Sequence, residues 1–368
     1  MKVMLVGIGA AGNKAVFTAI EKKVVNVEDT IIINSTSKDF PKEYKGKTVV
    51  LSPQDTGCGK ERKIAKEYAL SAIKAGKLNV ELSDYTTIII ITSVEGGTGS
   101  GASTVIAKFF QQVHRKNVHI VAFSGFEEDL RGLGNTLEFF QELEPSMIVE
   151  NIRNSAFMKE AGENKFKAEE LANIECANRI AMIQGKGMTN SSQNIDDTDI
   201  SKVTNTAGYM TVEKMYIPTP LADKEDFNKI CKSMIYASKS TKSKNAKCLR
   251  IGIILNIDPA SEDAIDSKYT ELCKTYGKPV EIFTQKQWDQ DKEYIAFIVS
   301  GMDLPIDEMK AMYNRYKAES EIVSKRGADN FFAEMKNLAL DGNNKFDMIK
   351  PVQAGSSIDD FMSQFATK

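Results

Sequence analysis

A run of glycine and hydroxyl residues, Glu95–Gly101, is the part of the chain best suited to hold a phosphate. This glycine loop lies between an apolar run, Ile88–Ile91, and a helical pattern that we expect over Ala102–Arg115. Glycines let a backbone approach an anion closely, and the first N–H groups of a helix point at it. Thr98 and Ser100 can add hydroxyl donors. Because four glycines weaken a helix start, the run indicates selection for more than folding.

Two further glycine-bearing turns follow strand-like runs. The first turn, Gly7–Asn13, has the GxGxxG spacing of dinucleotide-binding loops. The second turn, Thr56–Gly59, follows the third apolar run. Taken singly, the first turn could serve tight packing and the second could be a surface turn. Together the three predict one phosphate-binding crevice, with these nucleotide-binding residues: Gly9, Ala10, Ala11, Asn13, Gly57, Cys58, Gly59, Gly96, Gly97, Thr98, Gly99 and Ser100.

Two common nucleotide sites fit the pattern poorly. A Walker-type P-loop is absent, because Lys60 lacks both a following hydroxyl residue and the upstream glycine. A nicotinamide site expects an acid at the end of the second strand, to hold the ribose hydroxyls. The run Ile31–Ile33 ends in Asn34 instead. A dinucleotide-dependent oxidoreductase is therefore disfavoured and remains an alternative from another class.

Composition narrows the class of protein. The 368 residues are 42% hydrophobic and 27% charged, as in globular proteins with room for two domains. A net charge of −2 gives no basic field, so we expect no direct nucleic-acid contact. Five cysteines without a CxxC pair favour a reduced, cytoplasmic setting. No apolar run approaches the roughly 20 residues of a membrane span, and we expect no membrane contact. His114 and His119 are expected at a surface turn, which disfavours zinc hydrolysis.

Alternating apolar runs and helical patterns describe the elements that must position these turns. Continuously apolar strands predict an α/β fold with a parallel sheet covered on both faces. Ligands bind at the carboxyl ends of such strands, where the three turns lie. The strands of the first half are expected at Lys2–Val6, Thr30–Ile33, Thr48–Leu51, Thr87–Thr92, Val118–Phe123 and Met147–Val149.

The second half has a different pattern. A long helical pattern over Phe166–Gln184 is followed by a polar stretch and then by a smaller mixed α/β unit, in which one helix is expected over Ser261–Tyr276. The expected organisation is a nucleotide-binding domain over 1–165, a central helix over 166–185, a second domain over 186–304, a C-terminal helical region over 305–340 and a flexible tail over 341–368.

The three turns resemble the tubulin/FtsZ superfamily. The glycine loop matches that family's GGGTGSG-type signature, with Glu95 in place of the first glycine, and the first turn resembles its GCGGAGN loop. Asn34–Thr36 stands where the family has Asn-Thr-Asp, so the acid is missing here. The resemblance implies a tubulin/FtsZ-like fold that binds GTP and GDP, with Mg²⁺ held mainly by the nucleotide phosphates.

Further matches concern the nucleoside. Phe126, Glu127 and Arg131 fit the family's FExxxR motif, whose Glu and Arg contact the ribose region of GTP. The tripeptide Phe123–Gly125 replaces the Lys-Pro-Phe of cell-division relatives. Asn151 matches an Asn that contacts the ribose or the base.

In the family, the long central helix carries an aromatic residue that stacks on guanine and, four residues later, an Asn that reads its edge. Asn173 lies at about that place, but Glu169 stands four residues before it. Phe166 is the nearest stacking candidate and Asn178 a rival base reader. Phe166 is equally compatible with the core.

The run Asn194–Asp199, the acidic loop, resembles the family's NxDxx(D/E) loop. In relatives it enters the nucleotide site of the next subunit, where its acids position the attacking water. The resemblance assigns hydrolysis chiefly to Asp199, with Asp196 and Asn194 assisting. A simpler interpretation is a helix N-cap, with Thr198 or Asp199 capping a helix from Ile200 onward.

The C-terminal pattern resembles one branch of the family. FtsZ proteins end in extra strands, whereas Pro305–Leu340 has helical spacing, as in the phage and plasmid tubulins of the TubZ group. The resemblance implies a cytomotive GTPase, active on polymerisation, that forms head-to-tail filaments and positions plasmid or phage DNA through a DNA-binding adaptor. An FtsZ-type division scaffold is the alternative.

Overall fold

The computed structural model describes residues 2–126, 129–189, 193–217, 220–241, 247–289 and 292–324. The chain forms two compact units. Of the described residues, the first unit comprises those within 2–147, 151–177 and 307–324; the second comprises those within 148–150 and 178–306. Glu127 and residues 325–368, which include the expected tail, lie outside the described part.

The first unit contains a parallel sheet in the order β3-β2-β1-β4-β5. The chain moves outward from β1 to β3 on one side and from β4 to β5 on the other. The strand order therefore reverses between β1 and β4, and ligands bind outside the carboxyl ends of the strands at such a point. The strands are β1 (Val3–Ile8), β2 (Thr30–Asn34), β3 (Lys47–Val50), β4 (Thr87–Ser93) and β5 (Asn117–Ser124).

Helices complete this unit, and two of them begin earlier than the sequence pattern predicts, which places the starts at Asn13 and Ala102. Helix α3 begins at Gly97 and α1 at Gly9, so the glycines form the first helical turns rather than preceding them. Low helix propensity hid both starts in the sequence. The helices are α1 (Gly9–Glu21), α2 (Arg62–Lys74), α3 (Gly97–Gln112), α4 (Leu130–Gln141) and most of α5 (Lys165–Ile183).

The C-terminal helix begins where the pattern predicts. This helix, α9, covers Ile306–Ser324, and the part of the pattern beyond it lies outside the described residues. Tyr316 of α9 packs with Leu133 and Leu137 of α4, and Met312 joins this cluster. Burial of these apolar side chains stabilises α4, which borders the glycine loop.

The expectation for His119 is wrong. This residue lies inside β5, paired in register with Ile89, and is 1% exposed. His114 is half-buried and packs edge-on against Phe109, with ring centroids 4.9 Å apart. His119 thus belongs to the packing of the sheet, while His114 lies at the bend between α3 and β5, as expected.

The second unit has a mixed sheet. Strand β10 is antiparallel to both β7 and β8, while β9 is parallel to β8 and the first residues of β6 are parallel to β7. Its strands and helices are β6 (Ile148–Arg153, first three residues), α6 (Asp197–Thr204), β7 (Gly208–Tyr216), α7 (Lys224–Ala237), β8 (Arg250–Asn256), α8 (Thr270–Tyr276), β9 (Glu281–Gln287) and β10 (Tyr294–Met302).

One helix of this unit was predicted wrongly. The stretch Ser261–Tyr276 is divided into a 3₁₀ turn, Pro259–Ala264, and the short α8. Between them the carboxylate of Asp266 accepts hydrogen bonds from the N–H groups of Lys268 and Thr270, which folds the chain into a turn. Together the two units confirm the expected α/β class.

Candidate nucleotide site

The N-terminal ends of α1 and α3 meet beside the point where the strand order reverses. A Cβ atom at Gly9, which has φ +76°, would lie 3.1 Å from the N atom of Gly99. A side chain at Gly12 would collide with the carbonyl oxygen of Ile91 on β4. These contacts require glycine, because main chain lies directly against main chain. The first turn and the glycine loop therefore form one continuous surface.

Neither helix start carries a side-chain cap. Ile8 and Gly96 precede α1 and α3 without accepting a capping hydrogen bond, and neither helix has an acid in its first turn. By contrast, Asp129 caps α4, Asp196 caps α6 and Asp223 caps α7. Two adjacent helix N-termini without acidic residues concentrate positive potential and N–H donors, which is the arrangement that binds an anion.

Three of the four glycines in the glycine loop are required by packing. A Cβ at Gly97 would lie 2.8 Å from the Cα of Lys60, and one at Gly99 would lie 2.6 Å from the carbonyl oxygen of Ser93. A Cβ at Gly101 would crowd the start of α2. Folding thus explains these three glycines. The expectation that they indicate selection for more than folding is corrected.

Other glycines face open space. Within the described residues, no atom lies within 4 Å of a Cβ placed at Gly57, Gly59 or Gly96. Cys58, between the first two, is 5% exposed and turns its side chain into the interior. The second turn and the glycine loop therefore leave room for a ligand to reach the backbone.

Hydroxyl groups near the glycine loop have different surroundings. The Thr98 hydroxyl is 2.8 Å from the Ser35 hydroxyl, in a half-buried position. The Ser100 hydroxyl donates to the Gly96 carbonyl, and the residue is fully buried. Thr98 can thus turn toward a ligand, while Ser100 stabilises the loop itself.

The segment Asn34–Thr36, which lacks the acid found in the family, forms a local network of hydrogen bonds. The Asn34 amide nitrogen donates to the Asp39 carboxylate at 3.0 Å, and its oxygen accepts from the N–H of Ser35 at 2.8 Å. Thr36 caps a short 3₁₀ turn by accepting from the N–H of Lys38. Asp39 is therefore a nearby acid that motif comparison missed, because it lies three residues beyond the motif.

Asn13 is fully buried, and neither atom of its amide has a hydrogen-bond partner among the described residues. An unsatisfied buried polar group costs about 1–3 kcal/mol, and native structures contain few of them. Ala10 is exposed and Ala11 half-buried, so the main chain of the first turn is accessible although Asn13 is not.

Three consecutive residues fix the second turn to α4. The Lys60 ammonium pairs with Asp129, and Glu61 receives two bonds from the Arg131 guanidinium, of 3.0 and 2.8 Å. Arg62 is 4% exposed, and its guanidinium lies 2.6 Å from the Glu142 carboxylate. Arg131, expected at the ribose, thus holds the second turn in this structure.

Electrostatics support these contacts. Burial alone would raise the pKa of Asp129, but the bonds from Lys60 and from the N–H of Gly132 lower it below its ordinary value. Burial likewise raises the pKa of Glu138, while Arg62 opposes the shift. The cluster behind the second turn therefore combines ionised groups with partly desolvated ones.

The nucleoside residues have the following positions. Asn151 is 2% exposed, and its amide exchanges hydrogen bonds of 2.8 and 3.0 Å with the Ser124 hydroxyl. Phe166 is 79% exposed at the start of α5, so it does not belong to the core. Asn173 is half-buried two helical turns later, and the spacing i, i+7 puts both on one face of α5. Asn178 is exposed and belongs to the second unit.

The structure gives a reason for Glu95, the departure from the family signature. Its carboxylate lies where a side chain at Gly125 would be, and a Cβ at Gly132 would be 3.3 Å from its Cβ. Glu95 is half-buried. Two glycines after β5 thus leave space for the Glu95 side chain. The sequence signal for this space was the tripeptide Phe123–Gly125, which ends in glycine where relatives have Lys-Pro-Phe.

The acidic loop belongs to the second unit. Asp196, rather than Thr198 or Asp199, caps α6, because its carboxylate accepts from the N–H groups of both, at 2.8 Å each. The Asn194 oxygen accepts from the Gln285 amide at 3.4 Å, which ties the loop to β9. Asp199 is half-buried in the first helical turn. The interpretation as an N-cap is correct for Asp196, and Asp199 carries the carboxylate that the cap does not use.

The described residues show neither a metal cluster nor a membrane-spanning helix. They contain no group of three or more His, Cys, Asp or Glu side chains that could hold a metal ion. No helix among them is long and apolar enough to cross a membrane.

Part of the chain matches a known family, and several known proteins are similar to it. Residues 2–162 match the family model described as "Tubulin/FtsZ family, GTPase domain". Tubulin-like protein TubZ of Clostridium botulinum C phage is 23% identical over 375 residues, which cover 96% of this chain and 99% of that protein. Cell division protein FtsZ of Porphyromonas gingivalis is 22% identical over 82% of this chain and 67% of its own length.

Solved structures show the same fold. The crystal structure of Clostridium botulinum phage c-st TubZ has a TM-score of 0.68 at 17% identity, covering 87% of this chain and 99% of that one. A GTPγS-form protofilament of TubZ from Bacillus thuringiensis serovar israelensis has a TM-score of 0.65 at 14% identity, covering 89% and 95%. These matches confirm the expected tubulin/FtsZ-like fold.

Proposed function

We propose that this chain is a member of the tubulin/FtsZ superfamily and a self-assembling filament protein that binds GTP and hydrolyses it between subunits. The observation that carries the proposal is the meeting of two uncapped helix starts, α1 and α3, at the reversal between β1 and β4. Open space at Gly57, Gly59 and Gly96 gives a phosphate chain access to the main chain there.

The proposed binding mode uses mainly the backbone. Phosphates accept from the first N–H groups of the two helices, which come from Ala10, Ala11, Gly97, Thr98 and Gly99. Mg²⁺ enters with the nucleotide and offsets the phosphate charge. The described residues beside the glycine loop offer hydroxyls, such as those of Ser35 and Thr98, rather than a carboxylate set, which fits a metal held by phosphate oxygens.

The nucleoside is assigned to α5 and to the loop after β5. Phe166 is exposed and shares a face of α5 with Asn173, so the ring can stack on the base while the amide reads its edge. Glu127, Arg131 and Asn151 are proposed for the sugar and base region. Since Arg131 is bonded to Glu61, its contact with the ribose requires that this pair rearrange.

The reaction is proposed to need two molecules. The acidic loop, with Asp199 as the acid that positions water and Asp196 and Asn194 beside it, comes from the next subunit. A head-to-tail contact of this kind does not close on itself, so it produces a filament. The similarity to a TubZ protofilament supports this assembly. Hydrolysis then depends on polymerisation.

The experiment is sedimentation and electron microscopy of the purified protein with GTP, GDP and GTPγS. We expect polymer with GTP, longer-lived polymer with GTPγS and little with GDP. Calorimetry with GTP and with NAD(H) is run in parallel. Binding of NAD(H) without binding of GTP would replace the proposal with the oxidoreductase.

For the cellular role we propose positioning of plasmid or phage DNA in the cytoplasm, through a DNA-binding adaptor and without direct contact to nucleic acid or membrane. The near-neutral charge of the chain supports an adaptor. Filaments mixed with double-stranded DNA at physiological salt should therefore sediment without it. The FtsZ-type scaffold is favoured instead if residues 341–368, as a peptide, retain division adaptors from a lysate and lose them on scrambling.

A further inference from the structure

A single amide on α4 joins the second turn to the glycine loop. The two hydrogens of the Asn135 side-chain nitrogen go to the carbonyl oxygens of Lys60, at 3.0 Å, and Glu95, at 2.9 Å. Lys60 directly follows the second turn, and Glu95 opens the glycine loop. Asn135 is 2% exposed, so water does not compete for these bonds.

We propose that Asn135 is the positioning residue that holds the second turn and the glycine loop at the spacing required for phosphate. The role concerns the nucleotide site of the proposed function and rests on it. Asn135 touches no reacting atom. It acts through the main-chain carbonyls of two segments that are 35 residues apart in the sequence.

The main chain of Asn135 strengthens the connection. Its carbonyl accepts a 2.8 Å hydrogen bond from the buried Arg62 guanidinium, which starts α2. The second turn is thus fixed at two points by one residue, through Lys60 and through Arg62. The side chain adds the bond to Glu95. The Asn135 side chain thus bonds to both segments.

Backbone strain explains why such a connection is needed. Gly59 and Lys60 have φ values of +55° and +65°, in the left-handed region that disfavours a residue with a side chain. Strained conformations persist where the surroundings determine them. Asn135 holds the carbonyl of the strained Lys60. Gly97 packs directly on the main chain of Lys60. A Cβ atom placed at Gly97 would lie 2.8 Å from the Cα of Lys60.

The first test measures local opening without nucleotide. Asn135→Asp keeps the shape and replaces the donor by an acceptor, so both carbonyls face like charge. We expect faster amide hydrogen exchange over residues 56–61 and 95–99, with the rest of the first unit unchanged. Thr136→Val is the matched control, since it removes a buried hydroxyl bond from the same helix, to Gly132, without touching either turn. Asn135→Ala serves as the second variant.

The second test measures GTP binding by calorimetry. We expect Asn135→Asp and Asn135→Ala to weaken binding roughly tenfold or more, the size of one lost buried hydrogen bond, and Thr136→Val to leave it unchanged.

The two tests separate this proposal from the proposed function. If the wild-type chain does not bind GTP, the function fails, while hydrogen exchange still tests the connection between the turns. If the wild type binds GTP and exchange in both turns is the same in Asn135→Asp as in Thr136→Val, the positioning role is overturned. It is also overturned if both Asn135 variants open the whole unit, because Asn135 would then act in folding.

Discussion

At the scale of single residues, the glycines divide into those that packing requires and those that leave space for a ligand. Gly97 and Gly99 lie against main chain, whereas Gly96 faces open space. Both kinds look alike in a sequence, since the neighbour that forbids a side chain comes from a distant segment. Glu95 gives the same lesson, because the feature that accommodates it, Gly125, lies thirty residues later.

This division predicts opposite behaviour of two neighbouring variants. Gly96 has φ −77°, which alanine adopts without strain, so Gly96→Ala should change the free energy of unfolding by less than about 1 kcal/mol. Its methyl group fills the space reserved for phosphate, and GTP affinity should fall at least about tenfold. Gly97→Ala should instead destabilise the protein by about 1–3 kcal/mol, because its Cβ meets Lys60. Urea unfolding and calorimetry on both variants check this; equal loss of stability would contradict the division.

At the scale of elements, sequence patterns predicted the strands well and the helix starts poorly. Continuous apolar runs mark β1, β4 and β5 because both faces of a parallel sheet are buried. The start of α3 was predicted too late, at Ala102 instead of Gly97, because glycines have low helix propensity and the packing that requires three of them involves distant segments. The connection from α4 to the second turn was also not predictable, since Asn135 matches no motif and its partners lie far away in the sequence.

A buried histidine in β5 makes the stability of the protein depend on pH. Burial in β5 lowers the pKa of His119 to about 3, and neither ring nitrogen has a hydrogen-bond partner among the described residues. The unfolded chain takes up this proton near pH 6.5, while the folded chain does not. The contribution of His119 to the free energy of unfolding is therefore fully present above pH 6.5. It is lost as the pH falls toward 3, at up to about 1.4 kcal/mol per pH unit.

The prediction is that the wild type loses about 2 kcal/mol of unfolding free energy from His119 between pH 7 and pH 5. His119→Leu should remove most of this loss, since leucine has no proton to bind. His114→Gln, at the half-buried histidine, is the control and should retain the greater part of it. Urea unfolding at both pH values measures the difference. If His119→Leu and the wild type lose equal stability, His119 is not the group responsible.

At the scale of the whole molecule, the residues proposed for binding and for hydrolysis belong to different units of the chain. The phosphate-binding turns belong to the first unit, and the acidic loop belongs to the second. The carboxylate of Asp196 caps α6, whereas that of Asp199 takes no part in this cap. In the proposed function the acidic loop of one molecule acts on the nucleotide of the next, and a head-to-tail contact of this kind produces a filament.

This arrangement predicts the behaviour of Asp199→Ala. The variant should bind GTP as tightly as the wild type, since the loop is not part of the phosphate-binding turns, and it should assemble. Hydrolysis should slow about 100-fold or more, a typical effect for the loss of a group that acts on the proton of the attacking water. Because GTP then persists in the filament, polymer should outlast that of the wild type.

Asp197→Asn, an exposed neighbour in the same helical turn, is the matched control and should hydrolyse GTP at nearly the wild-type rate. Phosphate release and light scattering are followed together over a range of protein concentrations. Wild-type activity per molecule should rise with concentration as filaments form, and rapid turnover by dilute, monomeric Asp199→Ala would rule out a site shared between subunits.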